Sequence, residues 1–370
     1  MKIVIDDRIP FIRGVFEPYA QVEYLPGASV SASHVRNADA LVIRTRTICD
    51  RRLLEGSSVR AIATATIGYD HIDTLWCEKA GIAWSNAPGC NSGSVCQYIT
   101  RCIIAIAEKH SLSLEKMTLA IVGAGNVGGK VAAAARALGM RVLINDPPRA
   151  EKEGPSGFSS LQQIMEEADI ISLHVPLTKS GEYATFHLFG EERLNSLRAR
   201  QWLINSSRGS VVDNAALKEV LKAHRIAGAV LDVWENEPRI DTELMGLLEI
   251  ATPHIAGYST DGKANGTKAA VRFIASQLCL PLTQWTPGAL PLPDGVQLGA
   301  VADTVDASGK SSRQILAEAL KASYDIEADS ASLKANPASF ELLRGNYPVR
   351  REPFGSAAGH IWEEICQKQR

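Results

Sequence analysis

Arg208 follows the apolar run QWLINSS, Glu237 follows AGAVLDVW, and His254 sits at the end of EIATPHI. Runs of this length and composition read as strands. In an open parallel sheet, ligands bind outside the carboxyl ends of the strands, so these three side chains are expected to project towards one cleft. Their types suit the removal of a proton and a hydride from a single carbon. Histidine titrates near working pH and can take a hydroxyl proton. A neighbouring carboxylate would orient the imidazole and stabilise its protonated form. Arginine offers a forked, permanently charged partner for a substrate carboxylate and a developing carbonyl. The chemistry that fits is oxidation of a 2-hydroxy acid. Taken singly, a histidine at a strand end is more often structural, and a lone arginine or glutamate more often surface charge. The joint placement is what argues for catalysis.

A hydride needs an acceptor, and GAGNVG supplies the place for one. Gly123, Gly125 and Gly128 follow a strand and open a helix, with Asn126 and Val127 inside the turn. Gly123 allows the tight turn, Gly125 lets backbone approach a pyrophosphate, and Gly128 lets helix and strand pack closely. The helix N-terminus presents its positive dipole end to the phosphates. Asp146 ends the next strand, 18 residues beyond Gly128. An acid there accepts hydrogen bonds from ribose hydroxyls and repels a 2′-phosphate, so NAD is favoured over NADP. Arg149 lies close by and is expected to be solvated. A glycine-rich turn that binds nothing is the plainer reading, but strand, helix and acid in register weigh against it.

The elements that must position these residues come in two runs. In the first hundred residues KIVI (2–5), ALVIR (40–44), AIATAT (61–66) and IAWSN (82–86) read as strands, and a helix is expected over 93–110. The second run has strands at 118–123, 141–146, 169–176, 201–207, 227–234 and 249–255. A helix over 261–278 is expected to return the chain to the first domain. Pro281, Pro287, Pro291 and Pro293 then mark a linker. The organisation expected is a substrate domain at 1–98 with 256–280, a dinucleotide-binding domain at 99–255, and a small α+β domain at 286–370.

A chain of 370 residues with 45% hydrophobic and 22% charged residues has the composition of a multidomain globular enzyme. The net charge of −2 gives no electrostatic reason for a nucleic-acid or anionic-membrane partner. The opening MKIVIDD meets charge within seven residues, unlike a secretory leader. No run reaches the ~18 apolar residues of a membrane span. The seven cysteines are odd in number, and the spacing of Cys90, Cys96 and Cys102 by six fits neither a zinc pattern nor a disulfide framework. Thiols in a reducing, cytoplasmic compartment and no metal are therefore expected.

With GAGNVG, INSSRGSVVD around Arg208, LDVWENEP around Glu237 and TPHIAGY around His254, the chain resembles the D-2-hydroxyacid dehydrogenases. The resemblance implies two doubly wound, Rossmann-like α/β domains, NAD as cofactor, and Arg208, Glu237 and His254 as the catalytic residues. A branch of that family serving vitamin B6 synthesis is closer still. It is matched by TATIGYDHID (64–73), NAPGCN (86–91), INDPPRA (144–150), VVDNAAL (211–217), TPHIAGYSTDGKA (252–264) and NYPVRRE (346–352). That branch implies oxidation of a small phosphorylated 2-hydroxy acid, 4-phospho-D-erythronate, to 2-oxo-3-hydroxy-4-phosphobutanoate. It implies NAD contacts at Asp146, Ser207, Asp232 and Gly257 and substrate contacts at Thr45, Thr66 and Tyr258. It also implies a homodimer formed through the C-terminal domain. Arg44 and Arg46, which flank Thr45 at a strand end, are placed to take the phosphate, and surface arginines beside a turn are the plainer alternative. Ile67 and Tyr69 beside Thr66 depart from the branch's pattern. Two alternatives stay open: a family member acting on phosphoglycerate, glyoxylate or hydroxypyruvate, and a corepressor-like module that binds NAD without turnover.

Overall fold

The computed structural model describes residues 1–293, 309–353 and 356–367. The chain forms two compact units, Met1–Asn91 with Ser259–Pro291, and Ser92–Tyr258 with Leu292–Arg370.

The first unit is built on five parallel strands, β1 (Lys2–Asp6), β2 (Gln21–Leu25), β3 (Ala40–Ile43), β4 (Ala61–Thr64) and β5 (Ala83–Ser85), in the order β2-β1-β3-β4-β5. The near-continuous apolar runs of β1, β3 and β4 are those of strands covered on both faces. One face packs against the helix Thr260–Gln277, whose Ala270, Val271 and Ile274 meet Ile3, Ile5, Val42 and Ala63. That helix backbone rests on the chain just past β4, since a Cβ at Gly266 would lie 2.4 Å from the Ala65 carbonyl oxygen. The sequence reading missed β2. It is an edge strand, half-buried, and its Glu23 is directed outward to an ion pair with Lys2 at 2.7 Å, so QVEYL carries little apolar signal.

The second unit contains six parallel strands, β6 (Thr118–Val122), β7 (Arg141–Asn145), β8 (Ile170–Leu173), β9 (Trp202–Asn205), β10 (Gly228–Leu231) and β11 (Ile250–Ala251). Their order is β11-β10-β9-β8-β6-β7. Strand order reverses between β6 and β8, and GAGNVG leaves β6 at that switch point, the place where such sheets bind ligands. The helix Ser92–Lys109 reads as amphipathic but is buried from Ser92 to Ala107. Its outer side is covered by Leu316, Leu320, Tyr324, Ile326, Trp362 and Ile365 from the C-terminal segment.

That segment, read from sequence as a separate α+β domain over 286–370, is grouped with the second unit because it shares its core. Its described residues form the helices Ser312–Ser323, Ile326–Ala335, Phe340–Gly345 and Ser356–Gln367 and a short 3-10 turn, with no strand among them. Lysine, alanine and leucine at helical spacing in QILAEALKA account for that outcome.

Ile274 is fully buried at the seam of the first unit. Ile274→Ala should destabilise the protein by about 2–5 kcal/mol, read as a lower urea midpoint with an unchanged m-value.

Candidate active site

The carboxyl ends of β9, β10 and β11 are stitched together by backbone. The Asp232 amide donates to the Asn205 carbonyl at 3.0 Å, and the His254 amide donates to the Asp232 carbonyl at 2.8 Å. Asn205 then folds the turn that carries Arg208. Its Oδ1 accepts from the Ser207 amide and hydroxyl at 3.0 and 2.8 Å, and its Nδ2 donates to the Arg208 carbonyl at 2.9 Å. A Cβ at Gly209 would lie 2.0 Å from the Trp234 carbonyl oxygen. Only glycine lets the Arg208 turn sit this close to the loop that leads to Glu237.

Glu237 and His254 form a direct pair, with His254 Nδ1 2.8 Å from Glu237 Oε2. The other carboxylate oxygen, Oε1, accepts from the Trp234 amide at 2.8 Å. Burial pushes the Glu237 carboxyl up, but the hydrogen bond and charge of His254, the Trp234 amide and the field of Arg344 outweigh it and hold the group below its usual range. An ionised Glu237 requires the proton on Nδ1, which leaves Nε2 as the nitrogen that can accept one.

His254 has a φ of +58°, a left-handed conformation that costs a non-glycine residue roughly 1–2 kcal/mol. Asp232 offsets that cost. Its Oδ1 accepts from the Thr252 hydroxyl and the Ile255 amide, both at 2.7 Å, and its Oδ2 from the Ala256 amide at 2.9 Å. The Thr252 and Tyr98 hydroxyls lie 2.7 Å apart, and the Trp234 indole donates to the Thr252 carbonyl at 3.0 Å. Burial pushes the Asp232 carboxyl up against these donors and against the charge of His254. Asp232, expected from resemblance to contact NAD, therefore has most of its acceptor capacity engaged by the loop that carries His254.

The glycine turn fits a dinucleotide. Gly123 has a φ of +91° and packs so closely that a Cβ would meet the His174 carbonyl oxygen at 2.8 Å. At Gly128 a Cβ would fall 2.0 Å from the Gly123 carbonyl oxygen. Gly125 alone has open space beside it, so the backbone can be approached there. Asn126 starts the helix Asn126–Ala137, while Val127 packs against the core. Asp146 ties β7 to the turn, its carboxylate accepting from the Ala124 amide at 2.8 Å and the Arg149 amide at 3.2 Å. Each oxygen keeps a lone pair for a ribose hydroxyl. Arg149 is solvated, with 43% of its side chain exposed, and it is also paired. It donates to the Ala124 carbonyl at 2.6 Å and forks onto Glu153, both contacts at 2.7 Å. Glu153 neutralises a cation that would otherwise attract a 2′-phosphate.

Tyr258 closes the turn after Gly257, its amide donating to the Ile255 carbonyl at 2.9 Å. Its ring meets Tyr347 edge-on at 6.1 Å and lies 5.6 Å from the Arg344 guanidinium. In the first unit Arg44, Thr45 and Arg46 follow β3, with Thr45 and Arg46 exposed and Arg44 donating to the Arg8 carbonyl at 3.4 Å. Thr66 follows β4 and donates to the Gly68 carbonyl at 3.0 Å. Tyr69 is exposed beside Trp84, with ring centroids 5.1 Å apart.

Sequence reasoning missed Asn205 and the loop-holding role of Asp232. A polar residue closing an apolar strand was the available signal at both positions. It also missed His187, whose Nε2 lies 2.9 Å from Glu235 and whose Nδ1 lies 3.6 Å from Asp213. The two carboxylates lie at opposite ring nitrogens.

Fold and site together define an NAD-binding dehydrogenase of 2-hydroxy acids. The family model for the NAD-binding domain of D-isomer specific 2-hydroxyacid dehydrogenases matches residues 103–256, and one described as a domain of unknown function matches 299–357. Erythronate-4-phosphate dehydrogenase from Bacteroides thetaiotaomicron is 48% identical over 95% of this chain and 97% of its own, and that from Stutzerimonas stutzeri is 41% identical over 96% and 94%. The chain belongs to the erythronate-4-phosphate dehydrogenase family. Among solved structures, a Thermus thermophilus protein matches with a TM-score of 0.67 at 26% identity, covering 79% of this chain and 100% of that one. D-lactate dehydrogenase from Aquifex aeolicus, complexed with NAD and lactic acid, matches at 0.64 and 26%, covering 77% and 97%. Among the described residues no helix is long and apolar enough to cross a membrane.

Glu237→Gln should lower kcat/KM by about 10²–10⁴ while leaving NAD affinity unchanged. Gly128→Ala should weaken NAD binding by at least about tenfold in a fluorescence titration, since the added methyl has to displace backbone.

Proposed function

We propose that the protein oxidises 4-phospho-D-erythronate to 2-oxo-3-hydroxy-4-phosphobutanoate, with NAD as hydride acceptor. The observation that carries this reading is the His254–Glu237 pair, held at 2.8 Å where β10 and β11 end. The names of the relatives supply the substrate.

In this mechanism His254 Nε2 takes the proton of the C2 hydroxyl. Glu237 holds the Nδ1 proton and stabilises the imidazolium that forms. The C2 hydrogen departs with its electron pair, the C2–O bond becomes a carbonyl, and the proton on His254 passes to solvent. When bound, NAD supplies the nicotinamide ring that accepts the hydride. Arg208 pairs with the substrate carboxylate and the carbonyl oxygen as its charge develops. Gly123, Gly125, Asn126, Val127 and Gly128 form the pyrophosphate turn, with Asp146 on the ribose hydroxyls. Ser207, Gly257 and the acceptor capacity that Asp232 keeps would complete the cofactor contacts. Thr45, Thr66 and Tyr258 bind the substrate, and Arg44 and Arg46 receive its phosphate. Support for that last assignment is two guanidiniums within three residues after β3, one exposed and one half-buried.

We place the reaction in vitamin B6 synthesis and in the cytoplasm, where seven cysteines that form no disulfide suit a reducing compartment. We further propose that two copies pair through the C-terminal segment, whose Leu342 and Val349 are exposed.

The test is NADH formation with 4-phospho-D-erythronate, 3-phosphoglycerate and D-lactate in parallel, with 2-oxoglutarate added in a second set and its reduction followed. Preference for phosphoerythronate, abolished by His254→Ala, is the expected result. Turnover of another acid alone would overturn the substrate, and no turnover would overturn the activity. Arg44→Gln and Arg46→Gln should each raise KM for the phosphorylated acid by about tenfold or more, as loss of a charge-assisted hydrogen bond does.

A further inference from the structure

We infer that Arg350, contributed by the C-terminal segment, is a positioning residue for His254: its guanidinium holds the carbonyls of Ile255 and Ala256 while Asp232 holds the amides of the same two residues. The inference rests on His254 being the base proposed above.

The geometry is that of a clamp with opposite charges on its two sides. Arg350 Nη2 donates to the Ala256 carbonyl at 2.6 Å and to the Ile255 carbonyl at 3.3 Å. Asp232 accepts from the Ile255 and Ala256 amides at 2.7 and 2.9 Å. These residues directly follow His254, whose φ of +58° lies in a strained region that persists only where its surroundings over-determine it.

Arg350 is only 4% exposed. A buried guanidinium is retained at a desolvation cost of several kcal/mol unless it is well paired. The helices around it already share an apolar core through Leu316, Leu320 and Ile326 and do not need a cation to pack. Its own setting is built to hold it in one orientation. The guanidinium lies 4.4 Å from the Tyr324 ring centre and 5.5 Å from that of Tyr347. Nη1 reaches the Tyr347 hydroxyl at 3.3 Å. The Tyr347 and Tyr324 hydroxyls both donate to Asp329 Oδ2, at 2.6 and 2.8 Å. Asp329 thereby brings a countercharge near the guanidinium without competing for the nitrogens that hold the loop.

The same segment grips the strand that feeds His254. The Ser330 hydroxyl accepts from the Ala251 amide at 3.0 Å, and Lys334 Nζ donates to the Leu248 and Glu249 carbonyls at 2.6 and 3.2 Å. From Leu248 to Ala256, the approach to the imidazole is tied down by residues far along the chain. This gives NYPVRRE, and part of the region whose family model is described as a domain of unknown function, a positioning role in the reaction.

The test compares Arg350→Met, Arg350→Lys and Tyr347→Phe in the full-length, NAD-loaded protein. Arg350→Met should lower kcat by about 100-fold, the scale of a misplaced catalytic group, with KM and NAD affinity within about threefold of wild type. Arg350→Lys should recover part of that loss, because an ammonium can still reach one carbonyl. Tyr347→Phe, which removes one hydroxyl, should lower kcat in the same direction and serves if Arg350→Met does not fold. A readout independent of turnover is the ¹⁵N spectrum of labelled histidine, in which His254 should lose its fixed Nδ1–H tautomer in the variants. The idea is overturned if folded Arg350→Met keeps wild-type kcat and tautomer. It is equally overturned if kcat falls only in proportion to lost NAD binding or, where Arg350→Met is unfolded, if Tyr347→Phe matches wild type. Failure of wild-type turnover with an intact tautomer shift would instead refute the substrate reading and leave the clamp standing.

Discussion

A carboxylate removed from water must be supplied with hydrogen-bond donors or give up its charge, and Asp232 finds its donors in the loop that carries His254. Much of the site follows from that requirement. The amides of Ile255 and Ala256 point inward, which forces His254 into a left-handed conformation and sets the direction in which its ring leaves the backbone. Glu237 meets the ring on the Nδ1 side and fixes which nitrogen is basic. Tyr98, on the helix Ser92–Lys109, reaches the same carboxylate through Thr252. One buried anion thus joins the helix beneath the sheet to the imidazole at its edge.

The cofactor turn is governed by space rather than charge. Gly123 and Gly128 are fixed by backbone that comes within 3 Å of where a methyl would stand, whereas Gly125 faces outward. Asp146 and Arg149 then brace the turn from the end of β7, and Glu153 cancels the arginine's charge. Steric exclusion shapes the pyrophosphate end, and electrostatics shapes the ribose and imidazole ends. The pyrophosphate and ribose ends lie on the neighbouring strands β6 and β7, and the imidazole end lies at the opposite edge of the same sheet.

The parts legible in the sequence were those written in local pattern. Buried parallel strands read as continuous apolar runs, and GAGNVG declared its turn because glycine spacing there is dictated within six residues. The edge strand β2 escaped notice because half of it faces water. The tie from Arg149 to the glycine turn is hidden in the sequence because Ala124 lies on a different element, whereas Glu153 is its i,i+4 neighbour in one helix. Asp232 resembled a cofactor ligand, and only the hydrogen-bond inventory of the following loop reveals how far its oxygens are engaged. Arg350 lies 94 residues beyond Ala256, a separation that no periodicity or spacing rule can bridge. Local chemistry was readable, while long-range satisfaction of polar groups was not.

The first unit is assembled from two stretches, with the second beginning at Ser259, directly after the loop that carries His254 and Tyr258. The sheet of the first 91 residues lacks the helix that covers Ile3, Ile5 and Val42 until Thr260–Gln277 has been made. On a ribosome, the opening domain therefore emerges with one apolar face bare and waits for the whole second sheet to be synthesised. The helix Ser92–Lys109 waits longer still, for Leu316 and Trp362. Such a chain is exposed to aggregation throughout its translation, and its yield in a cell depends on holding factors as much as on the stability of the finished fold.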